Sequence, residues 1–487
     1  MSENMTSLPS SLSFALSVVQ GCSKNVFQIA SSTGASSVAP DGVIRFNLPS
    51  NSIMDWKNSK MNFSVETTAS VGARLPQYAD TLFSGVRIMV AGQTIVQNNN
   101  LHGVVKACDY VTKQDVCDPV TGHPYVCEQQ AVDGNLISTA GLSESYGAGI
   151  GKISTLFSVD MGQIARISPR LIDMSLLGAV TVEFIVAPAS VLLTVKSCLQ
   201  RGQADNFCAD YGSAATFTIE RPVFNAICYS LLSSSYQMAV KERIASIGYV
   251  SFVYPQTTGF VMGSWAGSNR FSLSANSLRK LTSVWRNKAH ASLKGGVPLA
   301  GRCSSVTLAG CGIDGRRGGG TNTFGERHYQ GNCQQFRYPN LLPLADGTTT
   351  RALGLIADVP YADFSNSVKN LDFQFQVNSS NYPQYAMGVA DCLQMTLDAN
   401  NIDELHDTPS LQEYLNNKFI VSAGFNLPHK VGDVPCLSGL NTTGQNAYFG
   451  LASVGTGNDT GNYENIILAE TDTIMRVGAM RQIEIIN

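Results

Sequence analysis

Residues 27–52 read FQIASSTGASSVAPDGVIRFNLPSNS, and residues 252–277 read FVYPQTTGFVMGSWAGSNRFSLSANS. Laid over one another without a gap, they agree at nine of 26 positions. The identities are Phe27 with Phe252, Thr33-Gly34 with Thr258-Gly259, Gly42 with Gly267, Arg45-Phe46 with Arg270-Phe271, Leu48 with Leu273, and Asn51-Ser52 with Asn276-Ser277. Unrelated segments of average composition agree at roughly two positions. A second block follows in the same order at a shift of 218: Ile88, Val90, Ala91, Gly92 and Ile95 fall on Val306, Leu308, Ala309, Gly310 and Ile313. Internal self-similarity of this length points to a duplicated domain.

The repeating unit reads as β. Val86, Ile88 and Val90 alternate, Ala91-Gly92-Gln93 turns the chain, and Thr94 to Val96 return, which is a hairpin pattern. Further strands are predicted at Phe46–Leu48, Lys60–Glu66, Ile153–Val159, Phe217–Tyr229, Tyr249–Tyr254, Leu371–Val377 and Thr473–Ile486. The longest apolar stretch, Ser175 to Val195, carries Glu183 in its middle and Pro188 beyond it. A central acid costs roughly 2.5–3.5 kcal/mol in a membrane helix, and alternation at Val180, Val182, Phe184 and Val186 predicts strand, turn and strand instead. Many short strands separated by turn residues describe all-β sandwiches, here two in tandem.

Few helices are expected. Ser235–Ile247 carries Met238, Ile244 and Ile247 as an apolar stripe and lies between the repeats. Thr408-Pro409 offers an N-cap and a first-turn proline before Leu411, Tyr414 and Leu415. Val96–Ser154 and Gly310–Tyr338 are too long for ordinary connections. They are expected at matching places in the two repeats, where long loops carry contacts.

Composition narrows the class. Of 487 residues, 44% are hydrophobic, so the chain is not disordered. Lys and Arg number 33 and Asp and Glu 36, a net charge of −3, which does not suit a protein that coats nucleic acid. Charged residues make up only 14%, against about 25% in ordinary soluble domains. Such a shortage implies that much of the surface meets other protein rather than water. The 12 cysteines are scattered without a CxxC pair and read as buried thiols. Cys108, Cys117, His123 and Cys127 have no zinc-site spacing. No Lys or Arg precedes Lys24, so the basic start of a signal peptide is missing.

Catalytic signals are weak. GxSxG and GxxxxGK[ST] are both missing, and the six histidines form neither HxH nor HExxH. Gly318–Gly320 after Arg316-Arg317 reads as a loop, with the two arginines as candidate contacts to a neighbouring chain or to nucleic acid. One basic stretch stands out: Arg270, Arg279, Lys280, Arg286, Lys288, Lys294 and Arg302. It reads either as a strand edge and loop paired with acids elsewhere, or as an interface or inner face turned toward packaged nucleic acid.

Three runs carry a family resemblance: Phe46-Asn47-Leu48-Pro49-Ser50-Asn51-Ser52-Ile53-Met54-Asp55, the hairpin beginning Leu82-Phe83-Ser84-Gly85-Val86-Arg87-Ile88, and Met475-Arg476-Val477-Gly478-Ala479-Met480-Arg481-Gln482-Ile483-Glu484-Ile485. They resemble the double jelly-roll major capsid proteins of small eukaryotic double-stranded DNA viruses, such as polinton-like viruses and virophages. The resemblance implies an N-terminal arm at 1–25, a first jelly roll at 26–232, a connecting helix at 233–247 and a second jelly roll at 248–487. It implies a homotrimer of pseudo-hexagonal outline that tiles an icosahedral shell around DNA. The partners would be neighbouring capsomers, a penton protein, minor capsid proteins and, non-specifically, the packaged DNA. The protein would belong to the virion, assembled inside the host cell, with no cofactor, metal or active site. Two other readings stand beside it: a ligand- or carbohydrate-binding β-sandwich such as a viral spike or lectin, and a bicupin-like enzyme.

Overall fold

In the computed structural model of the chain, the described residues are 22–67, 73–74, 79–97, 101–112, 151–191, 193–197, 209–211, 216–231, 235–262, 268–287, 328–330, 372–400, 414, 419–425, 439–444, 446–453, 463–478 and 481–486. The first half begins with β1 (Cys22–Ala30), β2 (Ser37–Val38), β3 (Val43–Asn47), β4 (Ile53–Asp55), β5 (Lys60–Thr67), β6 (Ala73–Arg74), β7 (Phe83–Val90) and β8 (Gln93–Gln97). After helix α1 (His102–Thr112) come β9 (Gly151–Val159), β10 (Leu171–Asp173), the short helix α2 (Met174–Leu177), β11 (Val180–Val186), β12 (Leu193–Ser197), β13 (Ala209–Tyr211) and β14 (Phe217–Leu231). Helix α3 (Ser235–Ile247) leads into the second half. There β15 (Tyr249–Met262), β16 (Ser268–Ser272), β17 (Leu278–Asn287), β18 (His328–Gln330), β19 (Asp372–Val377) and β20 (Ser380–Met387) precede helix α4 (Val389–Ala399). The chain ends with β21 (Ile420–Gly424), β22 (Asn446–Ser453), β23 (Tyr463–Gly478) and β24 (Ile483–Ile486).

The pairing repeats. One sheet of the first half runs β1-β14-β5-β9 through its hydrogen bonds, and the other runs β3-β11-β7-β8. The second half repeats this as β15-β23-β17-β21 and β16-β22-β19-β20. Each half is thus a jelly roll: two antiparallel four-stranded sheets joined by the same crossovers, with β2, β4, β10 and β24 added at the margins. Alternation drives each strand inward on one side. In β3, Ile44 and Phe46 are buried while Val43, Arg45 and Asn47 are exposed. Glu183, inside an apolar run, is held between Arg45 and Arg87, its register partners on the two flanking strands, with ion pairs of 2.5 and 3.3 Å. Its repeat counterpart differs: Arg270 faces Tyr448 in the register, where Arg45 faces Glu183.

Several sequence expectations shift. Thr473–Ile486 is not one strand but the end of β23, a turn with Arg481 at φ 63° and the return strand β24. Val306–Ile313 lies outside the described residues, and the hairpin equivalent to β7–β8 is β19–β20. Both hairpins turn on two residues, Ala91-Gly92 and Asn378-Ser379, with positive φ at Ala91, Gly92 and Asn378. The 218-residue shift therefore does not superpose the equivalent hairpins, which the longer β17–β19 connection sets further apart in the chain. For the same reason the two long segments do not occupy matching places: Val96–Ser154 spans the β8–β9 connection, whereas Gly310–Tyr338 falls between β17 and β19. Residues 22–25 of the expected arm form part of β1, and the rest of it lies outside the described residues. Helix α3 forms where the sequence placed it, yet its stripe does not pack inward: Met238 is 66% exposed and Ile247 is exposed too. Of the helix expected after Thr408, only Tyr414 is described, helical and buried. No described helix is long and apolar enough to cross a membrane.

Candidate functional site

Two similar units in one chain meet along a seam. Here the seam is built from α1, the end of β8 and the 3₁₀ turn Gly162–Arg166 of the first roll, set against β15 and β23 of the second. β15 carries no charged residue over its 14 positions, so its outer edge loses little hydration when covered. One large buried cluster runs across the boundary, joining Leu101, Val104 and Ile164 to Phe252, Tyr254, Leu468, Met475 and Val477. The second roll keeps a separate aromatic core around Trp285, Phe373 and Phe419.

Backbone and side-chain hydrogen bonds fix the register of the seam. Ser168 and Val253 exchange both amide hydrogen bonds, at 2.8 and 3.0 Å, so the first roll adds a bridge to the open edge of β15. Gln163, buried in the 3₁₀ turn, donates to the Thr257 hydroxyl and accepts from the Thr257 amide at 2.8 Å. The Tyr254 hydroxyl donates to the Ile95 carbonyl at 2.8 Å, and burial pushes its phenol pKa up. Leu101 lies so close to β15 that a Cβ on Gly259 would come within 2.1 Å of its Cδ1.

Buried charges complete the seam. Lys106 on α1 donates to both Asp160 oxygens, at 2.8 and 2.9 Å, and the Gly162 amide donates to the same carboxylate at 2.7 Å. Arg166 pairs with Asp109. Within the second roll, Glu470 on β23 pairs with Lys280 at 3.3 Å and Arg279 at 3.5 Å on β17, and only Arg166 adds to its field from across the boundary. Burial alone would raise the Glu470 pKa, but Lys280, Arg166 and Arg279 outweigh it and hold it down. Burial likewise opposes the Lys106 charge, and Asp160 and Asp80 overcome it. His102, 4.0 Å from Asp80, is driven down to about 3, first by burial and then by Lys106, so it is neutral in the fold. Paired buried charges of this kind fix an arrangement more than they stabilise it, because desolvation offsets much of their attraction.

The sequence-derived basic residues distribute unevenly. Arg279 and Lys280 on β17 are partly buried in ion pairs with Glu470, and Arg279 also approaches Asp472 at 3.6 Å. Arg270 is exposed on β16. Arg286 stands opposite Glu464 in the β17–β23 register. Lys288, Lys294, Arg302, Arg316 and Arg317 lie outside the described residues. Sequence reading missed Lys106, Asp109, Asp160, Gln163 and Arg166, because no local pattern marks a polar residue whose partner is about 50 or more residues away in the chain. The one signal was the long charge-free run of β15.

Compared as a sequence, the chain matches no protein-family model and no curated protein. Compared as a structure, it is similar to PBCV-1 VP54 as fitted into a reconstruction of the virophage Sputnik: TM-score 0.53 and 11% identity, over 96% of this chain and 97% of that one. It is also similar to the Faustovirus major capsid protein, with TM-score 0.51 and 8% identity over 96% and 94% of the two chains. The 3.5 Å Sputnik virophage structure matches at TM-score 0.50 and 10% identity, over 96% and 89%. The likeness is one of fold and spans nearly the whole of each chain. The protein is a double jelly roll, with the architecture found in viral major capsid proteins.

Proposed function

We propose that this chain is a structural major capsid protein. Three copies form a pseudo-hexagonal capsomer, and capsomers tile an icosahedral shell around a double-stranded DNA genome. The observation that carries the reading is the seam: two jelly rolls of the same topology are locked side by side by a continuous buried cluster, a β-bridge and the buried hydrogen bonds Gln163–Thr257 and Tyr254–Ile95. One chain thus presents two similar units in a fixed orientation, and three chains in a ring present six. The low charge content suits a molecule whose sides meet copies of itself. Stable trimers of this kind bury on the order of 2,000–5,000 Å² per interface. No catalytic role is assigned. Neighbouring capsomers, a penton protein and minor capsid proteins are the partners in this reading, and DNA is contacted without sequence preference.

Size-exclusion chromatography with light scattering on the full chain, followed by negative-stain microscopy, tests this reading. Three-chain particles and hexagonal arrays or closed shells are expected. A monomer that never assembles overturns the proposal. A glycan-array hit on a non-assembling trimer would redirect it to the carbohydrate-binding reading, and a monomer with bound metal to the bicupin-like one.

A further inference from the structure

The seam has an unused duplicate. Phe27 on β1 and Phe252 on β15 occupy the same repeat position, and each pairs in register with the long strand that closes its own roll, Phe27 with Ala226 and Phe252 with Met475. Their surroundings differ sharply: Phe252 is 3% exposed and Phe27 is 45% exposed. Phe252 belongs to the buried cluster that the first roll shares with β15. Nothing among the described residues does the same for Phe27, and Val26 beside it is exposed as well.

The donor side is duplicated too. α1 follows the β7–β8 hairpin and is buried along residues 102–109, packed on β7 of its own roll, with Leu101 just before it set against Gly259 of the second. α4 follows the equivalent hairpin β19–β20 and packs Leu393 and Met395 on its own roll's core, yet Ala390 and Gln394 on it stay exposed. Counted from the two hairpin turns, Ile95 and Leu101 correspond to Tyr382 and Gly388. Tyr385, 55% exposed, sits between those two counterparts. Within one chain, then, the first roll spends its donor face on the acceptor strand of the second. The first roll keeps an unfilled acceptor, and the second roll keeps an unfilled donor. Two complementary faces at opposite ends of a chain make a head-to-tail contact, which closes into a ring when the rotation allows.

We infer that β1, around Val26 and Phe27, is the docking strip for the β20–α4 face of a second copy of this chain, repeating between copies the seam that joins the two rolls within one. The inference rests on the trimer proposed above and names its contact surfaces. An edge strand with exposed apolar side chains is otherwise a site of uncontrolled pairing, which a dedicated occupant removes.

Phe27→Asp and Tyr385→Asp, made separately in the full chain, test it by light scattering, with thermal melting by circular dichroism as the folding control. Each variant alone should run as a single chain at the wild-type melting temperature. Mixed in equal amounts they should form a two-chain species, since each lends the face that the other lacks. Should Phe27→Asp melt early, Phe27→Ser carries the same test. Persistent three-chain particles in either folded variant overturn this interface, as they would if residues 1–21 of the same chain cover Phe27, and leave the capsid reading standing. A wild-type chain that is itself monomeric overturns the trimer reading instead.

Discussion

Gly259 leaves no room for a side chain. The repeat aligns it with Gly34, but the two glycines answer different demands: Gly34 adopts φ 68° with open space around it, while Gly259 lets Leu101 of the other roll approach. Gly259→Val should lower stability by about 1–3 kcal/mol through overpacking, read as a lower urea midpoint. Tyr254→Phe removes the hydroxyl that satisfies the Ile95 carbonyl, and should cost about 1–3 kcal/mol by leaving a buried acceptor unpaired. Thermal melting checks that effect. The shared glycine was readable as a repeat; that one copy serves a turn and the other a contact depends on the partner 158 residues away in the chain.

At the scale of elements, α1 is the piece whose role the sequence concealed. It carries Lys106 and Asp109 into a buried boundary, where each needs a partner from beyond β9. Lys106→Met strands the Asp160 carboxylate and should cost about 3–5 kcal/mol, while pairing it with Asp160→Leu should recover part of the loss. Urea denaturation of the two variants separates these outcomes. His102 makes the same region sensitive to acid. Unfolded, it takes up a proton below about pH 6.5, whereas folded it does so only near pH 3. Between those values the unfolded state binds more protons, so stability falls as pH falls, by about 2 kcal/mol between pH 6.5 and pH 5. Glu470, its pKa held down by Lys280, Arg166 and Arg279, loses its stabilising charge further down, as pH drops through its depressed value. In His102→Gln the slope of urea midpoint against pH above pH 5 should flatten; an unchanged slope would place the acid response elsewhere. The β7–β8 hairpin, by contrast, was legible directly, because alternation and a two-residue turn are local signals.

For the whole molecule, the test of scale is assembly. Deleting Met1–Leu16 leaves β1 intact, so the truncated chain should still form soluble trimers; under the arm reading it should fail to close shells, as scored by electron microscopy. Normal shells would remove any tie between capsomers from that segment. The sequence by itself determined the β class, the duplication and most strands, because side-chain alternation and turn residues act over a few neighbours and survive in a linear text. Its scarce charge, 14% of residues, suits the proposed assembly, in which much of the surface would meet other copies. It could not assign the second hairpin once a long β17–β19 connection displaced it, nor the seam. Only the tertiary structure decided that Phe252 is covered and Phe27 open, that Lys106 finds Asp160, and that Glu470 gathers Lys280 and Arg279. Those outcomes depend on which faces of two folded rolls meet, and identical strand patterns leave that choice to the packing of residues far apart in the chain.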